Sequence, residues 1–531
     1  MMPAIKRAFY SVLPFFIFCL SSFLLASCLA APLSTSTDPH PLEAYVFVTA
    51  NPQATATPFQ PSPNTETPIA IPTLAPLPTA TFTPIPTNPP PSPTPRPTDA
   101  PPPISGDNPQ YTLSALMDYA NRTVTVSQVI LYPNQSGETL PSLVLGVNPN
   151  LWTGVFFLDN LTINDAPGDY SLNGQWLTVT LNPPLAPGQA VKIGIAYRLN
   201  LPYSSTRHEN FGYTWRQANL IDWYPFVVPY AGGGAWVLRD PHPYGENLVY
   251  PLADFRISLA FTDSQPPVVA ASAPARYEDG AFLYDFPNAR NFTISVSPYF
   301  LVQTADADGI TIYNYYFAEH AAAAAHVLEM TRQAVLTYRS VYGPYPHSAL
   351  SVVETDLNDG LEADGLYFLA ANFYNAFDGT VRNNLTVIAV HETAHQWWYG
   401  GVANDQALEP WLDEALCAYS ERIFYEYNYP GALNWWWNFR IYYYNPTGYV
   451  DWRIYDTGSF RTYVNAVYFQ GAKFLEALRS RMGDAAFRAF LQDYYARNRG
   501  RIATSADFFA LLAEHTAADY SDLIRAYFTY R

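Results

Sequence analysis

Disulfide chemistry is close to excluded from this chain. Its 531 residues hold three cysteines, and two of them, Cys19 and Cys28, lie at the N-terminus. Only Cys417 falls in the region expected to fold, so no disulfide framework can staple it. Its apolar helical surroundings predict a buried thiol. Positive charge is also scarce. Lys and Arg number 28 against 45 Asp and Glu, a net charge of −17. That balance argues against nucleic acid or an anionic membrane surface as partner. No basic patch or RNA-binding aromatic motif stands out, and no repeat of 20–50 residues recurs. Apolar residues are plentiful: 49% hydrophobic and 16% aromatic, ample for sizeable cores in two to four domains.

Residues 1–28 read as an export signal. Lys6 and Arg7 precede an apolar run that ends in "LASC" at Leu25–Cys28. Small residues just before a cysteine resemble the bacterial lipobox, in which the cysteine is acylated and the preceding segment removed. An uncleaved N-terminal anchor is the alternative. Both readings place the body of the protein outside the cytoplasm, and the first makes it a membrane-anchored lipoprotein. Residues 29–108 are rich in Pro and Thr. Twenty of the 48 prolines lie between positions 51 and 110, a composition that favours extended polyproline II over a packed core. We expect a stalk that holds the rest of the chain away from a membrane.

From 109 to 305 the texture is β. "TVTVSQVILY", "WLTVTLN", "AVKIGIAYRLN" and "FRISLAFT" alternate or run β-branched, separated by turn clusters such as "NPPLAPGQ". A β-sandwich-like domain is expected. From 306 to 531 helical periodicity takes over. "AEHAAAAAHVLEMTRQAVLTYRSVYG" reads as a long helix, "SALSVVETDL" as a strand, and "NNLTVIAVHETAHQWWYGG" as a helix stopped by Gly400 and Gly401. "EPWLDEALCAYSERIFYEYNY" reads as another helix.

The chemistry centres on "HETAH". His391 and His395 at i and i+4 share one helix face, close enough for both imidazoles to reach one Zn2+. Glu392 projects about 100° round the helix from His391, beside that metal rather than on it. There it can take a proton from water as a general base. A catalytic zinc needs a third protein ligand and an open position. Glu414, separated from His395 by eighteen residues and on a helix that can fold back, is the candidate.

H-E-x-x-H followed after eighteen residues by Glu inside "WLDE" resembles the gluzincin aminopeptidases, the family of aminopeptidase N and leukotriene hydrolase. "YGPYPHSALSVVETDL", "GLEADGLYFL", "VYFQGAKFLEALRSRMGD" and "PLAPGQAVKIGIAYRLNLP" are similar to further stretches of that family in the same order. The resemblance implies an N-terminal β-sandwich-like domain, then a thermolysin-like α/β-to-helical zinc metallopeptidase domain with a short C-terminal helical segment. It implies one zinc per chain and peptide substrates with a free N-terminus. Carried over, Glu362 would bind the substrate's α-ammonium, Tyr468 would donate a hydrogen bond to the oxyanion, and Gln217 would assist Glu362.

The departures from the family pattern are specific. Its Met-Glu-Asn is here Leu361-Glu362-Ala363, with Asp364 as a competing carboxylate, and the lysine of its Y-x-K-G stretch is Gln470. Only 63 residues follow Tyr468, fewer than the C-terminal helical domain of full-size members, so how closed the site is cannot be read from the sequence. Epoxide hydrolysis or endopeptidase action at the same zinc site, or an inactive stalked binding protein, are the competing readings. Oligomeric state is not legible in the sequence.

Overall fold

A computed structural model describes residues 106–204, 211–356 and 359–529. All belong to one compact unit spanning 98–531. The expected signal segment, the lipidation at Cys28 and all of the Pro/Thr-rich tract up to residue 105 lie outside the described residues.

The alternating runs fold as strands with one dry face. Gln110–Asp118 pairs antiparallel with Thr123–Pro133. Tyr111, Leu113, Ala115 and Met117 are buried, while Thr112, Ser114 and Leu116 between them are exposed, as the period of two requires. These strands lie in the middle of an eight-stranded sheet, which packs with two four-stranded sheets in a β-rich domain that also carries the hairpin Tyr230–Gly232/Ala235–Trp236. Leu113, Leu143, Leu177, Trp223 and Ile294, drawn from all three sheets and the loops between them, share one core.

A five-stranded sheet follows in the order Leu301–Asp306, Thr311–Tyr316, Ala349–Thr355, Leu366–Ala370, Gly360–Ala363. The domain boundary expected at 305/306 therefore falls inside its first strand. Only the three-residue turn 298–300 and a change of pairing partner separate Ile294–Ser297 from Leu301–Asp306. Helix Ala321–Val341 makes the crossover between the parallel second and third strands. A two-residue Asp364–Gly365 turn closes the last hairpin, with Ala363 opposite Leu366. Gly365 has φ +74, and a Cβ there would meet the Ser272 carbonyl oxygen at 2.2 Å.

The histidine helix spans Asn384–Ala394, N-capped by Asn383, whose side chain accepts from the Thr386 N–H at 2.9 Å. Every residue from Leu385 to Ala394 is buried, so it is a central helix rather than an amphipathic one. It ends five residues or more before the Gly400–Gly401 stop expected from the sequence. His395 is its C-cap, and the chain then turns tightly, the Gly400 and Gly401 N–H groups donating to the His395 and Gln396 carbonyls. The glycines are required by packing: a Cβ on Gly401 would lie 2.5 Å from the Tyr495 ring and 2.8 Å from the Trp397 carbonyl oxygen. Helix Trp411–Asn428 packs against the histidine helix. Cys417 on it is buried and free, in line with its sequence context. Beyond Val464 the chain is helical almost throughout. Among the described residues no helix is long and apolar enough to cross a membrane.

Ile221 and Ala270 of the β-rich domain cluster with Val353, Leu361, Leu366 and Phe368 of the five-stranded sheet. Arg216 pairs with Asp356 at 2.7 Å across the same boundary. Both domains thus hold the edge strand Gly360–Ala363 in place.

Candidate metal centre and active site

Three side chains from two helices converge. His391 Nε2 lies 3.2 Å from Glu414 Oε2, and His395 Nε2 lies 3.5 Å from the same oxygen. One ligand atom from each of the three lies within 4.8 Å of the others. Two imidazoles and a carboxylate are the donor set of a catalytic zinc with an open position. Glu414 sits in the first turn of its helix beside Asp413, where the dipole favours a carboxylate.

The surrounding groups orient the rings. His391 Nδ1 donates to Glu421 Oε1 at 2.8 Å, and His395 Nδ1 faces the Trp398 carbonyl at 3.2 Å. Both Nε2 atoms are thereby turned toward the shared point. Glu421 is buried yet remains charged, because Arg440 and His391 outweigh the cost of burial and hold its carboxyl below the usual range. Without the ion, burial works against a charged His391, but Glu414 and Glu421 prevail and raise it to about 9. Metal binding must displace that proton. Glu421 was missed from the sequence, although it follows Glu414 by seven residues. Two helical turns put both carboxylates on one face.

Glu392 is buried, and its Oε2 has no hydrogen-bond partner among the described residues. An orphaned buried carboxylate oxygen calls for a function, and here it lines the same cavity as the three ligands. Burial raises its carboxyl to about 8, against the neighbouring imidazoles; a dication beside it would draw it back down. Gly360 makes room for it. A Cβ on Gly360 would lie 2.2 Å from Glu392 Oε1 and 2.7 Å from Ile388 Cγ2. Gly360→Ala is therefore expected to displace the Glu392 carboxylate and lower kcat by about 100-fold, the cost of misplacing a catalytic group by an ångström. Steady-state kinetics with metal analysis checks this; unchanged kcat with full metal content would remove Gly360 from the site.

Tyr468 lies on a π-helical turn, Asn465–Gln470, a local widening often found at functional sites. Its ring stacks on His391 at 5.7 Å with an interplanar angle of 9°. Burial and then the Glu414 charge raise its phenol well above the ordinary value, so it stays a proton donor.

Glu362 projects from the edge strand into the cavity, and Gln406 Nε2 donates to its Oε1 at 2.8 Å. Asp364, the competing carboxylate, is turned away. It accepts from His347 Nε2 and from the Arg290 backbone N–H, both at 2.8 Å. Gln217 does not reach the site. Its amide is spent on Ser295, Glu354, Thr355 and Asp356, which tie the β-rich domain to the five-stranded sheet. A neutral amide flanked by buried backbone groups is consumed by satisfying them. The carboxylate that does stand opposite Glu362 is Glu246, from the loop after Pro243. Burial and then the Glu362 and Glu414 charges raise it well above the carboxylate range. The loop has no periodicity and no motif, so no sequence signal marked it.

The cavity measures about 660 Å3. Leu361, Ile388 and Tyr444 give it apolar walls, and Arg440 and Arg461 lie along it.

Residues 328–527 match the Peptidase family M1 domain. No curated protein sequence matches the chain. The chain is similar to the crystal structure of a glutamate-to-alanine mutant of the M1 zinc metallopeptidase from Deinococcus radiodurans: TM-score 0.58, 19% identity, over 80% of this chain and 95% of that one. The same mutant bound to a Tyr-Ser-Ala substrate matches with TM-score 0.57 and 18% identity, over 79% and 93%. A two-domain M1 zinc metallopeptidase bound to L-arginine matches with TM-score 0.58 and 19% identity, over 79% and 93%. The architecture, a β-rich domain followed by a largely helical one, is that of the two-domain M1 metallopeptidases.

Proposed function

We propose that this chain, whose residues 328–527 match the Peptidase family M1 domain, is a zinc aminopeptidase that removes single residues from the free N-terminus of peptides. One observation carries the reading. Glu362 and Glu246 line the cavity beside the metal centre, and neither makes an ion pair with a Lys or Arg among the described residues. Burial and then the Glu362 and Glu414 charges raise Glu246. An ammonium group entering there relieves both effects. The N-terminus of a peptide is such a group, carried one residue from a scissile carbonyl.

The residues then divide the work. His391, His395 and Glu414 would hold the zinc, which supplies Lewis-acid polarisation of the scissile carbonyl and lowers the pKa of water. Glu362, fixed by Gln406, and Glu246 clamp the ammonium and set the register. Glu392 accepts the proton of the attacking water at its free Oε2 and later delivers it to the leaving amine. Tyr468 donates its hydroxyl proton in a hydrogen bond to the developing oxyanion.

N-acetylation of an aminoacyl amide removes the charge that the carboxylates await and leaves one of them buried and unpaired. Cleavage is expected to fall by at least about 100-fold, the scale of breaking a buried ion pair. Comparing kcat/KM for free and acetylated leucyl amides, each with and without a zinc chelator, tests the reading. Equal, chelator-sensitive cleavage of both would make the protein an endopeptidase. The same proposal includes export and acylation at Cys28, supported by the basic start, apolar run and small residues of positions 1–28; mass spectrometry of the mature N-terminus decides it.

A further inference from the structure

A second cavity, of about 560 Å3, shares Tyr244, Gly245, Glu246, Leu361 and Glu362 with the first and runs on into the β-rich domain. Its walls are aromatic: Trp152 stacks on Phe211 at 5.8 Å, and Tyr250 and Tyr399 face the same space. Its charge is of one sign. Asp222, Glu246 and Glu362 line it, and no Lys or Arg does among the described residues. Glu246 and Glu362 are taken by the α-ammonium, which leaves Asp222.

Asp222 follows the strand Ala218–Leu220 with φ 50, a left-handed conformation that Asp and Asn tolerate better than most residues. The Tyr250 hydroxyl donates to its Oδ1. Asp222 makes no ion pair among the described residues. Burial pushes its carboxyl up to about 6 against the Tyr250 hydrogen bond, and the Glu362 charge adds to the rise.

We propose that this cavity receives the side chain of the substrate's N-terminal residue, and that Asp222 selects a long cationic side chain, arginine or lysine. The inference rests on the aminopeptidase reading. With the ammonium held on the wall common to both cavities and the carbonyl at the metal centre, the α-carbon sits at the junction. The leaving peptide continues through the first cavity toward Tyr444 and Arg461, and the side chain has the second. There an aliphatic stem packs between aromatic faces, a guanidinium stacks on them, and its head pairs with Asp222.

Arginine against citrulline isolates the charge, because the two share shape and α-ammonium. On the zinc-loaded full chain, calorimetry should show L-arginine binding about 10- to 100-fold more tightly than L-citrulline, as expected for a charge-assisted pair. Arginyl and citrullyl amides should show the same ratio in kcat/KM. Asp222→Asn keeps the backbone conformation and the Tyr250 contact, and should bring both ratios close to one. Glu246→Gln should weaken both ligands together and leave the ratio standing. Equal binding of arginine and citrulline by the unaltered protein, or a ratio that survives Asp222→Asn, overturns the assignment. Because binding is read without turnover, this failure is separate from failure of the aminopeptidase reading, which cleavage of N-acetylated arginyl amide would signal.

Discussion

Glu392→Ala is expected to lower kcat by about 1,000-fold or more, with one zinc still bound per chain; positioned general bases contribute on the order of 100- to 10,000-fold. The size follows from isolation. Glu392 is buried, one of its oxygens has no partner among the described residues, and Gly360 and Ile388 press against it. Gln396, one turn further on, is bound to Ala363, Gly365 and Tyr345, and Tyr367 is bound to Thr331 and Thr393. Glu362, the carboxylate that shares a cluster with Glu392 and His395, is held by Gln406 and assigned to the substrate ammonium. Metal retention follows from the hydrogen bonds. The rings of His391 and His395 are oriented by Glu421 and the Trp398 carbonyl, neither of which touches Glu392. Glu392→Gln makes the sharper comparison, since it preserves volume and removes only the basic oxygen. Kinetics with an aminoacyl amide, paired with zinc analysis of the same preparation, reads both halves. Activity above about a tenth of the unaltered protein's would exclude Glu392 as the base, given the scale of base catalysis.

The parts of this site legible in the sequence are those set by spacing along single elements. His391, Glu392 and His395 are fixed by helical geometry. Glu414 is fixed by the length of chain that lets a second helix return. Glu362 was marked by the resemblance, and the structure turns it into the cavity while Asp364 is buried against His347 and Arg290. The parts not legible come from segments without periodicity. Glu246 and Asp222 lie in loops of the β-rich domain, and only the packing of the two domains brings them into one cavity with Glu362. Gln217 illustrates the converse error. Its position in the chain suggested a substrate contact, but its amide had nearer obligations to buried backbone groups. The Gly400–Gly401 pair was misread as a helix stop because glycine near a helix end usually caps it. Here the lack of a Cβ serves the contact with Tyr495.

Glu414→Ala is expected to reduce zinc from about one per chain to below about a tenth after dialysis, and activity with it, since binding depends on a complete ligand set. Glu414 is the hub of the centre, its Oε2 lying within 3.5 Å of both imidazoles. Burial would raise its carboxyl, but His395 and the hydrogen bonds from both histidines overcome that and hold it below the usual range. Two imidazoles alone leave the ion under-coordinated. A thermal readout separates lost metal from a lost fold. In the unaltered protein, added zinc should raise Tm and a chelator should lower it, because an ion held only by the folded state contributes about 4 kcal/mol at a thousandfold excess over Kd. In Glu414→Ala neither addition should move Tm, while circular dichroism stays native. A variant that kept stoichiometric zinc and its Tm response would require another side chain as third ligand. Among the described residues the other cluster that could hold a metal ion, Glu362, Glu392 and His395, would remove Glu392 from its role as base, so that outcome would also contradict the expected effect of Glu392→Ala.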